Sequence, residues 1–142
     1  MPERIVFDTN VMISGLLWHG NAYQCVLLAR SGVVQAVYCS EMMAELSEKL
    51  RDTFGFSENR VRAVVHDVRR FAERVEISGT LSGVEADPDD DKFIECAVVG
   101  GADAVVSGDR HLLDMEHYQN ILILSAAEFI EWVAGRPTPV KE

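Results

Sequence analysis

A short apolar run near the start of the chain ends in three side chains that could bind a metal ion. The run Ile5–Phe7 is typical of a buried strand, and Asp8, Thr9 and Asn10 follow it directly. A buried carboxylate is costly unless it is paired or bound to a cation, and open α/β sheets bind ligands at the carboxyl ends of their strands. The stretch therefore indicates half of a metal site, or only an Asx-turn at the strand end.

Further acids occupy positions that a parallel sheet would bring to the same edge as Asp8. Asp109 comes shortly after the apolar run Ala104–Val106, which reads as another buried strand. Glu45 lies about one turn into a predicted helix that follows the second strand. The acids at 87–91 stand at a predicted helix start, and helix starts lie at that same edge. We therefore expect these acids to be able to share one site.

Helix periodicity selects among the acids only in part. On the helix that carries Glu45, the apolar stripe consists of Met42, Met43, Leu46 and Leu50. Glu45 is the acid nearest the boundary of that stripe, where a carboxylate can face a crevice. Asp90 and Asp91 both align with apolar positions, so periodicity leaves the choice between them open. Most acids in this cluster also suit the positive end of a helix dipole, which is a purely structural explanation for them.

Converging carboxylates need a cation or protons. Two of them about 4 Å apart repel by roughly 4 kcal/mol at an effective dielectric constant of about 20. Sites made only of oxygen ligands suit Mg²⁺ or Mn²⁺, and such ions serve phosphate chemistry. The histidines lack metal-ligand spacing, so we expect no metal role for His19, His66, His111 or His117.

The elements that must position these acids alternate along the chain. Apolar β-branched runs predict strands at residues 5–7, 33–39, 104–107 and 121–124. Caps and amphipathic spacing predict helices at residues 22–30, 40–53, 58–75, 87–99, 109–116 and from 126 onwards. Ser40 is the predicted N-cap of the second of these helices, and Ser125 begins a capping box. Such alternation predicts an α/β fold with a mostly parallel sheet covered by helices.

Length and composition favour one ordinary globular domain. The chain has 142 residues, and we expect a domain over 1–134 and a disordered tail over 135–142. Cys25, Cys39 and Cys96 are widely spaced, which suggests reduced thiols in a cytoplasmic protein. No apolar run is long enough for a membrane span, and the first residues do not resemble a signal peptide. The net charge of −10 arises entirely after residue 75, where fourteen acids face four bases. This imbalance does not by itself exclude a nucleic-acid substrate.

With these residues in place, the chain resembles the PIN-domain family, and most of all its single-domain prokaryotic toxins of toxin–antitoxin pairs. The segments that carry the resemblance are 7–11, 40–45, 87–93 and 101–109. It implies a Rossmann-like α/β/α sandwich and an acidic site formed by Asp8, Glu45, Asp91 and Asp109, with Asn10 and Ser107 nearby. It also chooses Asp91 over Asp90. The family usually has Thr at the position of Ser107, and a hydroxyl is retained here.

Two functions of different classes follow from this resemblance. The first is an Mg²⁺- or Mn²⁺-dependent endoribonuclease that cleaves RNA to a 5′-phosphate and a 3′-hydroxyl. An antitoxin protein as partner and a homodimer or higher homo-oligomer are implied with it. The second is a catalytically silent PIN fold that acts as a protein-binding module, which the poorly basic composition favours mildly. A phosphatase of the haloacid-dehalogenase kind is a weaker alternative, because the residue two positions after Asp8 is Asn10, not a second Asp.

Overall fold

The computed structural model describes residues 2–78 and 91–135, which form a six-stranded sheet with helices around it. The strands are β1 (Glu3–Phe7), β2 (Val34–Tyr38), β3 (Ala72–Arg74), β4 (Ala104–Val106), β5 (His117–Tyr118) and β6 (Ile121–Leu124). The helices are α1 (Thr9–Leu17), α2 (Asn21–Arg30), α3 (Ser40–Asp52), α4 (Glu58–Phe71), α5 (Asp91–Val99), α6 (Arg110–Met115) and α7 (Ala126–Ala134). No helix in these two ranges is long and apolar enough to cross a membrane.

The strand order creates a crevice beside β1. The order is β3-β2-β1-β4-β6-β5, and every neighbouring pair is parallel except β5 with β6. The chain moves from β1 toward one edge and then returns to the other side of β1 with β4. Such a reversal opens a ligand crevice at the carboxyl ends of the two strands. The architecture confirms the predicted α/β class with a mostly parallel sheet.

Apolar side chains fill both sides of the central strands. Ile5 and Val6 in β1 are completely buried, as are all three residues of β4. Phe7 contacts Phe129 of α7 edge to face, with ring centroids 6.2 Å apart. Strands buried on both faces read as continuous apolar runs, which is why the sequence identifies them. The rigid central pair β1 and β4 carries the polar residues that follow each strand.

The structure corrects the predicted end of the fourth helix. We expected the helical stripe to continue through Ala72 and Val75, but α4 ends at Phe71. The next three residues form the edge strand β3, whose Ala72 pairs with Ala36 of β2. Val75 then donates its N–H to the carbonyl of Tyr38 over 2.8 Å. Pairing with a neighbouring strand, which local periodicity does not report, therefore ends the helix. The two-residue strand β5 also escaped prediction.

Ser40 is not the N-cap of α3: Cys39 has the extended cap conformation, and Ser40 is already helical. The Ser40 hydroxyl instead accepts a hydrogen bond from Arg74 Nε at 3.1 Å, because β3 lies beside this helix start.

The predicted loop and helix start at 78–90, and the tail from 136 onwards, lie outside the described residues except Ser78. The three cysteines are buried free thiols.

Candidate metal centre at the carboxyl edge of the sheet

Asp8 stands between β1 and α1 and has both of its carboxylate oxygens hydrogen-bonded. Its Oδ1 accepts the backbone N–H of Val11 at 2.8 Å, which caps α1. Its Oδ2 accepts the hydroxyl of Ser107 at 2.5 Å. The local role of Asp8 is thus that of a helix N-cap, which uses only one oxygen. The other oxygen binds a residue that follows β4, so Asp8 connects the two central strands.

Asp109 follows β4 and lies on the same side of the crevice. Its backbone N–H donates to Ser107 Oγ at 3.0 Å, and its Oδ1 accepts the backbone N–H of His111 at 2.7 Å. It is the N-cap of α6 and not, as we predicted, a residue inside that helix. Ser107 thus contacts both acids and is itself completely buried.

Burial dominates the electrostatics of Asp8. The side chain is only 5% exposed, and this burial raises the pKa of its carboxyl above the ordinary value of 3.8. Hydrogen bonds from Ser107 and Val11 act in the opposite direction without cancelling the effect, and the negative charge of Asp109 adds to it. Asp8 is therefore a carboxylate that would gain from a nearby cation.

Glu45 projects from α3 and is paired with two lysines. Its Oε2 lies 2.5 Å from the ammonium of Lys92, and its Oε1 lies 3.7 Å from the ammonium of Lys49. Lys49 also donates to Asn10 Oδ1 at 3.1 Å. Burial by itself would raise the pKa of Glu45, but the hydrogen bond and the charge of Lys92, with help from Lys49, lower it overall.

Asp91 is the first residue of α5, directly before Lys92. Its Oδ1 is buried and has no hydrogen-bond partner. A buried oxygen without a partner is uncommon in native proteins, and a cation is one partner that such an oxygen can take. The other acids of this cluster, Asp87, Asp89 and Asp90, lie outside the described residues.

One cleft brings most of these side chains together. It has a volume of about 710 Å³, and its walls include Asp8, Asn10, Glu45, Lys49, Lys92 and Asp109. Asp91 is next to the cleft in the chain but is not part of its wall. Glu41, Glu48 and Asp52 extend the wall along α3, although the apolar stripe alone would have assigned them to solvent. Asp8 and Asp109 thus share one cleft with Glu45.

The acids do not yet form a closed coordination shell. Among residues 2–78 and 91–135, no three His, Cys, Asp or Glu side chains are close enough to bind one ion. The Glu45 carboxylate contacts Lys92 and Lys49 instead of a second acid. Sequence reasoning missed both lysines, although Lys49 stands one helical turn after Glu45 and Lys92 stands beside Asp91. Because side chains four residues apart on a helix are neighbours, the sequence could have indicated the pairing of Glu45 with Lys49.

The donors that are present suit a hard divalent cation. They are all oxygens, which Mg²⁺ and Mn²⁺ prefer, and neither sulfur nor an imidazole lines the cleft within the described residues. The unpartnered Asp91 Oδ1 and the raised pKa of Asp8 both indicate places where positive charge would be stabilising. The donor chemistry of Asp8, Glu45, Asp91 and Asp109 therefore suits such an ion, although among the described residues no three such side chains group closely enough to hold one.

Comparisons with known proteins agree with this architecture. A family model described as PIN domain matches residues 4–111, well over half of the chain. The fold is similar to a chain in the crystal structure of VapBC2 from Rickettsia felis bound to a DNA fragment from their promoter. The TM-score is 0.59 at 14% identity, and the match covers 86% of this chain and 98% of that chain. No curated protein matches. At this identity the structural likeness establishes the fold alone.

Proposed function

This chain belongs to the PIN-domain family, and we propose that it is an Mg²⁺- or Mn²⁺-dependent endoribonuclease. The observation that carries the proposal is the buried carboxylate of Asp8, fixed by Ser107 beside Asp109 at the strand-order reversal. A buried acid with a raised pKa, next to a second acid in a cleft, is a pattern found at functional sites. Its capping of α1 uses Oδ1 alone and does not account for the contact of Oδ2 with Ser107.

The four acids have distinct parts in this proposal. Asp8, Glu45, Asp91 and Asp109 would bind the divalent ion, which supplies an activated water and stabilises the leaving oxygen of the phosphodiester. The chain itself fixes the ligands: Ser107 orients Asp8, and the backbone of α6 orients Asp109.

Two cationic side chains balance the acids of the cleft. Lys49 and Lys92 lie on its wall and are the bases there that can attract a phosphate group. Asn10 keeps Lys49 at the cleft through its side-chain oxygen. We expect RNA cut in this way to carry a 5′-phosphate and a 3′-hydroxyl.

The biological role that we propose is that of a toxin in a toxin–antitoxin pair. The support is family membership together with the likeness to a chain of VapBC2, whose crystal structure contains a promoter DNA fragment. With this role go an antitoxin protein as partner, a homodimer or higher oligomer, and a place in the cytoplasm.

A catalytically silent module remains the second candidate. The observation in its favour is the ion pair of Glu45 with Lys92, which takes up one of the four carboxylates. A protein that never binds metal could keep such a pair permanently. The pair would then be structural, and the cleft would serve only to bind a protein partner.

A cleavage assay separates the two candidates. Labelled single-stranded RNA is incubated with the protein and Mg²⁺, Mn²⁺ or EDTA, and the products are sized. Asp114→Asn serves as the control for Asp8→Asn, because Asp114 is an exposed acid on α6. The nuclease proposal requires metal-dependent cutting by the wild type and the control, with loss in Asp8→Asn. No cleavage by any of the three proteins, even with Mn²⁺, would favour the silent module. Equal metal-dependent cleavage by all three would contradict the role of Asp8.

A further inference from the structure

The closest charged contact in the cleft joins Lys92 of α5 to Glu45 of α3. Lys92 Nζ lies 2.5 Å from Glu45 Oε2, and the two side chains are 17% and 26% exposed. The ammonium also lies over the ring of Phe93, 4.7 Å from its centroid. A short, mostly buried pair of this kind is weakly screened by solvent. It therefore decides which partner the Glu45 carboxylate has before any ion arrives.

We propose that Lys92 is the internal counter-ion of this centre, which positions Glu45 in the metal-free protein and competes with the divalent ion for its carboxylate. The inference rests on the proposed function, because it takes Glu45 as a ligand. Lys92 is a positioning residue in this account and not a ligand.

Lys92 and a divalent ion compete for the Glu45 carboxylate because both are positively charged and both would contact the same oxygen. Glu45 Oε2 cannot keep a 2.5 Å contact with an ammonium and also give that lone-pair direction to a metal ion. Lys92 directly follows Asp91 on α5, so its positive charge lies beside a second proposed ligand. A positive charge at that position lowers the affinity for any cation that binds both acids. Binding of an ion through Oε2 therefore displaces Lys92 from that oxygen.

Lys49 is the matched comparison within the chain. It approaches the other oxygen of Glu45, but at 3.7 Å and with a side chain that is 38% exposed. It also donates to Asn10 Oδ1 at 3.1 Å, so it has an anchor apart from Glu45. Solvent screens such a pair strongly. Removing its charge should therefore change metal affinity much less than removing the charge of Lys92.

The test measures Mn²⁺ binding by titration calorimetry, without RNA, on the full chain. Lys92→Met should bind Mn²⁺ about tenfold more tightly than the wild type, because a nearby positive charge has been removed. Lys92→Arg should remain near the wild-type affinity, and Lys49→Met should change it less than about threefold. Thermal melting of each metal-free variant shows that it is folded, and Lys92→Gln replaces Lys92→Met if the latter is not.

A double-mutant cycle shows whether the effect acts through Glu45. In a Glu45→Gln background the carboxylate is absent, so Lys92→Met should tighten Mn²⁺ binding clearly less than tenfold. An undiminished gain there would mean that Lys92 acts only as a remote charge, which overturns the proposed exchange. Unchanged or weaker Mn²⁺ binding by folded Lys92→Met would overturn it as well.

Failure of this inference is distinguishable from failure of the proposed function. If the wild type binds Mn²⁺ and cleaves RNA while Lys92→Met binds the ion no more tightly, only the role of Lys92 is wrong. If no variant binds Mn²⁺ and the wild type does not cleave, the metal-dependent function and the counter-ion role are both wrong.

Discussion

The Ser107 hydroxyl donates a 2.5 Å hydrogen bond to Oδ2 of Asp8, a residue 99 positions away in the chain. The two residues follow β4 and β1, which pair in parallel at the centre of the sheet. The same hydroxyl accepts the backbone N–H of Asp109 at 3.0 Å. A single buried oxygen therefore sets the positions of two of the four proposed ligands.

Ser107→Ala should weaken both the fold and the site. It removes the hydroxyl partner of the part-buried Asp109 N–H and of Oδ2 of the buried Asp8 carboxylate, which costs about 1–3 kcal/mol of unfolding free energy. We expect cleavage to fall by about 10- to 100-fold, as when the support of a metal ligand is lost. Urea unfolding and RNA cleavage measure the two effects. Ser107→Thr keeps the hydroxyl and is the control, and wild-type cleavage by Ser107→Ala would contradict the role.

Asp8→Asn should abolish cleavage while the fold survives. The amide oxygen can accept the Val11 N–H, and the amide nitrogen can donate to Ser107 Oγ, so the cap of α1 persists. One negative charge is lost, and with it a proposed ligand, so cleavage should fall by more than about 100-fold. Melting of the metal-free protein should be equal or higher, since burial of a charge is relieved. Cutting at the wild-type rate would refute the assignment.

Stability without metal should depend on pH through Asp8. Its pKa is raised above 3.8 in the folded protein, so the protonated form favours folding. This contribution is fully present below 3.8 and is lost as the pH rises through the raised value. The lowered pKa of Glu45 changes the pH dependence of stability in the opposite direction. Asp8→Asn keeps Glu45, so comparing it with the wild type isolates the contribution of Asp8. The melting temperature of wild type relative to Asp8→Asn should rise on acidification, and a constant difference from pH 7 to pH 4 would contradict it.

Divalent metal should stabilise the folded protein most near neutral pH. Metal ions bind carboxylates in their ionised form and stabilise the state that binds them. Millimolar Mg²⁺ or Mn²⁺ should therefore raise the melting temperature near pH 7 and raise it less near pH 5. Melting in EDTA and in Ca²⁺-free buffer with added Mn²⁺ measures the shift. The absence of any shift in Mn²⁺ would count against a metal centre in this cleft.

Asp91→Asn should reduce metal-dependent cleavage by orders of magnitude, because Asp91 Oδ1 is buried without a partner beside the cleft. Asp90→Asn is the matched comparison and should cost at most about 1 kcal/mol of stability through the helix dipole. Both variants are assayed under one protocol. Equal losses would mean that the two acids act as a unit. A loss in Asp90→Asn alone would mean that the resemblance was aligned one residue out of register.

Local signals in the sequence determined most of the architecture. Apolar runs identified β1, β2, β4 and β6. In β4 the run reflects burial on both faces of the sheet, where apolar residues are needed throughout. The Ser125 capping box located the start of α7 and is present with both of its hydrogen bonds. Because Asp8 and Asp109 each follow a predicted strand, the sequence also predicted that both would lie at one edge of the sheet. In the structure both line one cleft.

Tertiary contacts decided what these local signals left open. The helix stripe continued past Phe71 in the sequence, yet pairing with β2 converts Ala72–Arg74 into a strand. Only the packing of α5 against α3 brings Lys92 to Glu45, 47 positions earlier in the chain. Only the parallel pairing of β1 with β4 brings Ser107 to Asp8. Periodicity and caps act over a few residues, whereas ion pairs and buried hydrogen bonds form between segments that only the complete fold makes neighbours.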